Sequence, residues 1–308
     1  MLRSMYSGIS GLRNFQTKLD VIGNNISNVN TYGFKKGRTI FKDLISQTVA
    51  GASGGSAARG GVNPKQVGLG SQIAAIDTMH TGGSTQFTGN TLDLAISGDG
   101  FFQVQDGNNA NPTGFSGSIQ YTRAGNFYMD SKGFLVNSDG KYLVGIGARA
   151  SGTPAVYPEA PQTIPPYTAA GNRPTGTLPT NTAFQPIQIP TDAQSMSVSQ
   201  DGVVTFVAAD GKLRWAGQLE MAKFSNPGGL NKLGGNTFEV TSNSGEPHLG
   251  TGTTNGLGEI QSGFLEMSNV DLAEEFTEMI VAQRGFQANT RIITTSDEIL
   301  QELVNLKR

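Results

Sequence analysis

The chain has 308 residues, 15% of them charged, and its 22 basic and 24 acidic side chains leave a net charge of -2 at pH 7. That balance lacks the electrostatic footprint of a nucleic-acid binder or a polybasic membrane anchor. Cysteine is absent, which excludes disulfides and thiolate metal sites, and 42 glycines fit a secreted or surface β-protein better than a metabolic enzyme.

At the N-terminus Met5, Leu12, Leu19 and Ile26 recur every seven residues, flanked by Ile9, Phe15, Ile22 and Val29. The pattern predicts a helix over about residues 2 to 30 with one continuous apolar stripe. Gly8, Gly11 and Gly23 interrupt it, each costing roughly 1 kcal/mol relative to Ala, so the helix is expected to fray in the free monomer. Its polar face is mostly neutral, and Asn24, Asn25 and Asn28 would keep a channel wet if that face lined a lumen. They read equally well as ordinary helix-end residues. Arg3, Arg13 and Lys18 are not followed by an unbroken apolar run and a small-residue cleavage site, so no cleaved signal peptide is expected. No stretch is long enough to span a bilayer, and membrane insertion is not expected.

Residues 41–70 read as a flexible connector, because Gly51 to Gly61 is almost entirely Gly, Ala and Ser. Strand signals run from 71 to 148 and from 187 to 245, predicting one discontinuous, mainly β central domain of many short strands. An internal echo joins its halves: Gly133 followed by Asp139-Gly140-Lys141 resembles Gly202 followed by Asp210-Gly211-Lys212. Each Gly suits a hairpin turn that needs positive φ. Residues 149–186 hold seven prolines from Pro154 to Pro179, which predicts a surface insertion or small outer lobe rather than a sheet interior. Residues 246–264 form a second expected connector. The C-terminal helix then carries Leu272, Met279, Phe286, Ile293 and Leu300 at seven-residue intervals, with Phe276 and Val304 widening the stripe. Ser268 or Asn269 is the expected cap, and Asp271 and Glu274 favour the first turn.

Catalytic signals are poor. His80 and His248 are the two histidines, neither has a second ligand at metal spacing, and both read as ordinary loop residues. Gly98-Asp99-Gly100-Phe101 precedes no helical pattern and reads as a tight turn, not a dinucleotide loop. No catalytic, cofactor or metal residues are assigned. The terminal stripes carry the functional reading instead. Left exposed they would form a sticky patch, so residues 1–40 and 265–308 are expected to form a helical coiled-coil domain on assembly. Its interface would draw on Met5, Ile9, Leu12, Leu19, Ile22 and Ile26 with Leu272, Phe276, Met279, Phe286, Ile293 and Leu300. A β-rich adhesin would not need heptads at both ends, and an enzyme would need a cluster of titratable groups.

Three separated blocks are more specific. Ser7-Gly8-Ile9-Ser10-Gly11-Leu12 and Asn24-Asn25-Ile26-Ser27-Asn28-Val29-Asn30-Thr31-Tyr32-Gly33-Phe34-Lys35 form the first. Thr88 to Ile96, Gly98 to Phe102 and Tyr121-Thr122-Arg123-Ala124-Gly125-Asn126-Phe127 form the second, and Leu265 to Asp271 with Ala282 to Asn289 the third. In this order they resemble the rod and hook family of bacterial flagellar axial proteins. The segment Met279 to Phe286 and the closing Leu303-Val304-Asn305-Leu306 are more similar to the hook members than to the distal rod members, although the chain is short for a hook. The resemblance implies export without a cleaved signal by the flagellar type III apparatus. It further implies polymerisation under a cap into a hollow helical homopolymer in contact with rod and hook-filament junction proteins. A hook subunit would act as a universal joint passing torque to the filament, a rod subunit as a rigid drive shaft.

Overall fold

The computed structural model describes residues 2–55, 59–108, 111–148, 157 and 182–306. The chain divides into two compact units, the first made of Met1–Val29, Lys36–Met79 and Val270–Arg308, the second of Asn30–Lys35 and His80–Asn269.

The first unit contains helices α1 (Leu2–Ser27) and α2 (Leu272–Asn305) and strands β1 (Gly37–Asp43), β2 (Ser46–Ala50), β3 (Lys65–Gly68) and β4 (Ser71–Thr78). The α2 N-cap is Asp271, two residues beyond the expected Asn269. Its Oδ1 accepts from the N–H groups of Ala273 (2.8 Å) and Glu274 (3.4 Å), filling two of the open donors of the first turn. β1 pairs antiparallel with β4, and β2 with β3. The expected connector over 41–70 is therefore corrected. Most of it is a hairpin prolonged by a Ser53–Val62 bridge, with residues 51–55 and 59–61 of the Gly, Ala and Ser run towards its far end. Composition concealed this because backbone pairing alone satisfies the hydrogen-bonding groups of such a segment. β4, expected in the central domain, also belongs here. Ser71 Oγ accepts from Asn14 Nδ2 of α1 at 2.9 Å, and Phe41 of β1 lies 6.1 Å from Phe15 of α1, ring to ring.

The second unit is mainly β. Its 13-stranded sheet runs in the order Ser195–Val198, Val203–Val207, Leu213–Leu219, Tyr142–Ala148, Phe101–Asn108, Asn111–Thr122, Thr237–Glu239, Asn231–Gly234, with shorter strands paired off this path. The central core is built from Phe102, Phe127, Leu143, Ile146, Phe206, Trp215 and Leu219. Residues 246–264, expected as a connector, hold strands His248–Gly250 and Glu259–Ser262, so that expectation is also corrected. Of the Pro-rich segment, residues 149–156 and 158–181 lie outside the described residues. Thr182–Pro186 is a sheet strand paired with Tyr142–Ala148, and Tyr157 is buried in the core. The internal echo has a structural counterpart. In turns closed by Gly133, Gly140, Gly202 and Gly211 the glycine N–H donates to the carbonyl three residues before it, and the residue bearing that carbonyl donates to the one after the glycine. All four glycines have positive φ.

One ionic cluster joins distant parts of this unit. Glu266, 2% exposed, accepts from Lys35 Nζ at 2.5 Å and Arg123 Nη1 at 3.2 Å, and from the Gly83 N–H at 3.0 Å. Lys35 also donates to the Thr81 carbonyl (2.8 Å), and Arg123 to those of Ile96 (3.3 Å) and Gly98 (2.7 Å). Burial pulls the Lys35 ammonium below its usual pKa, and the Glu266 carboxylate opposes that shift. Beside the cluster, Gly33 donates its N–H to the Glu266 carbonyl (2.8 Å) with φ of +69°, and a Cβ there would come within 2.5 Å of the Ala124 nitrogen. No other residue fits that position.

Truncating one partner of a buried pair leaves an uncompensated charge, at a cost of about 3–5 kcal/mol. Glu266→Ala, which strands two cations, is expected to destabilise the second unit by about that amount. The sole tryptophan, Trp215, is buried in this core, so urea unfolding followed by its fluorescence measures the loss directly.

Candidate assembly surface

The two terminal helices lie antiparallel within the first unit. A Cβ on Gly8 would meet Ile293, one on Gly11 would meet Asn289, and one on Gly285 would come within 2.5 Å of the Phe15 ring. Further along, Lys18 pairs with Glu278 at 3.0 Å and Asn25 Nδ2 donates to Glu275 Oε2 at 3.1 Å. Positions 8, 11, 15, 18 and 25 of α1 thus face 293, 289, 285, 278 and 275 of α2. The steps between them are three, four or seven residues, as in a coiled-coil seam. The side chains at these positions are otherwise small or polar, Phe15 and Ile293 being the large apolar ones. The buried residues of α2 are Glu275, Ala282 and Ser296.

The apolar residues chosen from the sequence lie mostly outside this seam. Of the α1 set, Ile22 alone is buried, Met5, Leu12, Leu19 and Ile26 are half-buried, and Ile9 is exposed. On α2, Leu272, Phe276 and Phe286 are exposed, while Met279, Ile293 and Leu300 are half-buried. Ile280 and Val281, not singled out from the sequence, are 58% and 57% exposed beside Phe276 at 50%. Long side chains thus flank a narrow seam that glycine and alanine allow to close. Sequence reasoning missed the seam by following hydrophobicity, although Gly8, Gly11, Ala282 and Gly285 at three- and four-residue spacing carried the signal. The β2–β3 hairpin adds apolar surface, since Val49 and Val67 are exposed and Ile45 beside it is 82% exposed.

The three amides expected to line a channel separate. Asn24 is exposed. Asn28 Nδ2 donates to the Asn24 carbonyl at 2.9 Å. Asn25 does not fit a wetted wall, which corrects that expectation. It is 2% exposed, and besides Glu275 its amide both donates to and accepts from the backbone of Gly37, at 2.9 Å each.

Around Asn25 the two helices and β1 enclose a polar cleft. Lys36 Nζ reaches Glu274 at 2.7 Å and Glu275 at 3.9 Å. Burial raises the pKa of the Glu275 carboxyl, and neighbouring Glu278 and Glu274 add to the shift, against the Asn25 hydrogen bond and Lys36. Among the described residues no group of three or more His, Asp or Glu could hold a metal, and no helix is long and apolar enough to cross a membrane.

Three sequence families match the chain: "Flagella basal body rod protein" over residues 5–35, "Flagellar hook protein FlgE/F/G D1 domain" over 95–206 and "Flagellar basal body rod FlgEFG protein C-terminal" over 261–306. The flagellar basal-body rod protein FlgG of Bacillus subtilis is 51% identical over 309 residues. In Borreliella burgdorferi the hook protein FlgE is 35% identical over 450 residues and the rod protein FlgG 35% over 311. Each of these alignments covers 100% of both chains. The crystal structure of the Helicobacter pylori flagellar hook protein FlgE2 matches at 13% identity, over 59% of this chain and 100% of that one, with a TM-score of 0.41. That likeness is too loose to argue from.

A carboxyl whose folded pKa is raised weakens the fold as pH climbs from its ordinary value, 4.5, to the folded one, and the cost is complete above both. Glu275→Gln keeps an acceptor for Asn25 and removes that cost. The variant is expected to be more helical than the parent at pH 7, with the difference vanishing near pH 4, as read by circular dichroism of both proteins across that range.

Proposed function

The chain belongs to the FlgE/F/G family of flagellar rod and hook proteins, and from that premise we propose that it is a structural subunit of the hook. In this reading it polymerises with copies of itself into a hollow tube that bends while passing torque from motor to filament. The terminal helices are the assembly elements. Their own pairing consumes small and polar residues and leaves Phe276, Ile280, Val281 and Phe286 available to neighbouring subunits. Rod, cap and junction proteins would be its other neighbours, and the flagellar type III apparatus its route out of the cell.

The observation that favours hook over rod comes from the organism in which both relatives are at hand. There the hook protein is 35% identical over a 450-residue alignment and the rod protein 35% over 311, so at equal identity the hook alignment is the longer, with at least 142 of its columns facing gaps in this 308-residue chain. The second reading is a distal rod subunit, a rigid shaft. It is favoured by the name of the Bacillus subtilis relative and by the near equality of that 309-residue alignment with the length of this chain.

Electron cryo-microscopy of intact hook-basal bodies distinguishes the two, using a tag inserted at Gly245, a turn position where an added Cβ meets nothing within 4 Å. Label along the curved extracellular segment is expected. Label confined to the straight shaft would assign the rod and remove the bending mechanism. The helix surface is tested separately by Phe276→Asp with Ile280→Asp. Burying each such side chain is worth roughly 1.5–3 kcal/mol, so the double variant is expected to lower polymer yield by about 100-fold or more. Trp215 should report an unchanged unfolding midpoint for its own unit.

A further inference from the structure

We propose that the β-rich second unit carries a binding site for a small oxyanion of the phosphate, sulfate or carboxylate type, in the cavity between His80 and Arg123. The cavity has a volume of about 200 Å³ and is lined by His80, Asp99, Phe101, Arg123, Lys223 and Ser225 among others. Two buried polar groups there have no hydrogen-bond partner: both ring nitrogens of His80, and Nε of Arg123, a residue 5% exposed. They sit against the same aromatic ring. The Arg123 guanidinium carbon is 5.4 Å from the Phe101 centroid and the His80 ring 5.6 Å from it, while Phe238 supports the imidazole at 5.3 Å. A buried donor left unpaired costs about 1–3 kcal/mol, so two on one cavity ask for a common acceptor.

The charge around the cavity has the matching sign. Glu266 is shared by two cations, Lys35 and Arg123. Lys232, exposed, donates to the Lys35 carbonyl at 3.1 Å and lies 5.1 Å from the Phe34 ring. Lys223 pairs with Asp99 at 2.9 Å, and the Asp99 side chain, which also lines the cavity, is 71% exposed. Among the described residues the buried charges of the unit balance, Lys35 and Arg123 against Glu266 and Glu220, and the cations that line the cavity itself, Arg123 and Lys223, face one carboxylate there, Asp99. Burial first, then Lys35, Lys232 and Arg123, lower the His80 pKa to about 4, while the nearby Pro227 carbonyl, which makes no full hydrogen bond to the ring, opposes the shift. At neutral pH the imidazole is uncharged and offers one N–H. An oxyanion in the cavity would accept from that N–H and from Arg123 Nε, the two donors left unpaired there. The site is independent of whether the subunit belongs to hook or rod.

The test uses the full chain. Inorganic phosphate, sulfate and acetate are titrated in turn at constant ionic strength, with chloride as the balancing salt, while the imidazole proton resonances are followed by NMR. The chain has two histidines, so His248 serves as the internal reference. A saturable shift at His80 but not at His248 is expected, with a rise in the Trp215 unfolding midpoint that grows with anion concentration as mass action requires. His80→Phe, whose ring fits between Phe101 and Phe238, should weaken binding at least tenfold by calorimetry. Should that variant fail to fold, Lys223→Met, at the cavity edge, should weaken binding severalfold with the His80 resonance intact. No saturable shift with any of the three anions would mean that water meets both groups, and the proposal fails. Equal shifts at both histidines would mark an adventitious ion only and overturn it as well.

Discussion

The Glu266 carboxylate, held between Lys35 and Arg123, is the contact on which the rest of the second unit's architecture depends. The three side chains come from the N-terminal, central and C-terminal blocks of the sequence, Lys35 and Arg123 lying 231 and 143 positions from Glu266. A buried ion pair adds little net stability, because desolvation offsets the attraction, yet it strongly penalises any arrangement that leaves one member alone. The cluster therefore acts as a register pin. The chain can enter at Lys35 and leave at Glu266 in one alignment, and Gly33 completes it because its positive φ and missing Cβ let the backbone lie directly against Ala124.

The first unit solves a different problem, that of pairing two helices without burying their large apolar side chains. Gly8, Gly11, Ala282 and Gly285 bring the backbones close, and the polar contacts Lys18–Glu278 and Asn25–Glu275 fix the alignment. Dispersion between close backbones replaces the burial of large side chains. The large side chains are then left on the flanks. An all-leucine seam would have made a more stable monomer with less surface left to share.

Much of this was legible from the sequence. The terminal helices, most central strands and the glycine-closed turns followed from periodicity and from the demand for positive φ. The seam was not legible, because hydrophobic periodicity detects large side chains and is blind to glycines that pack by their absence of side chain. The β2–β3 hairpin was missed for a related reason: a run of Gly, Ala and Ser describes a turn region as well as a linker, and backbone pairing leaves no compositional trace. Asn25 was misplaced because an amide on a helix reads as solvated until its partners, Gly37 and Glu275, are known. The buried role of His80 depends on Phe101 and Phe238, far away in sequence, and no local pattern marks it.

The chain passes from one unit to the other at 29–30, 35–36, 79–80 and 269–270. On the β-rich side, three of these passages are tied together within a few residues of the boundary. Lys35 bonds the carbonyl of Thr81, Glu266 takes the N–H of Gly83, and Asn269 Nδ2 donates to Thr81 Oγ1 at 3.0 Å. A tensile load arriving along any one of these backbones is consequently divided among all three before it reaches the sheet. Such a splice protects each single strand from being peeled away, because opening it breaks contacts made to the other two.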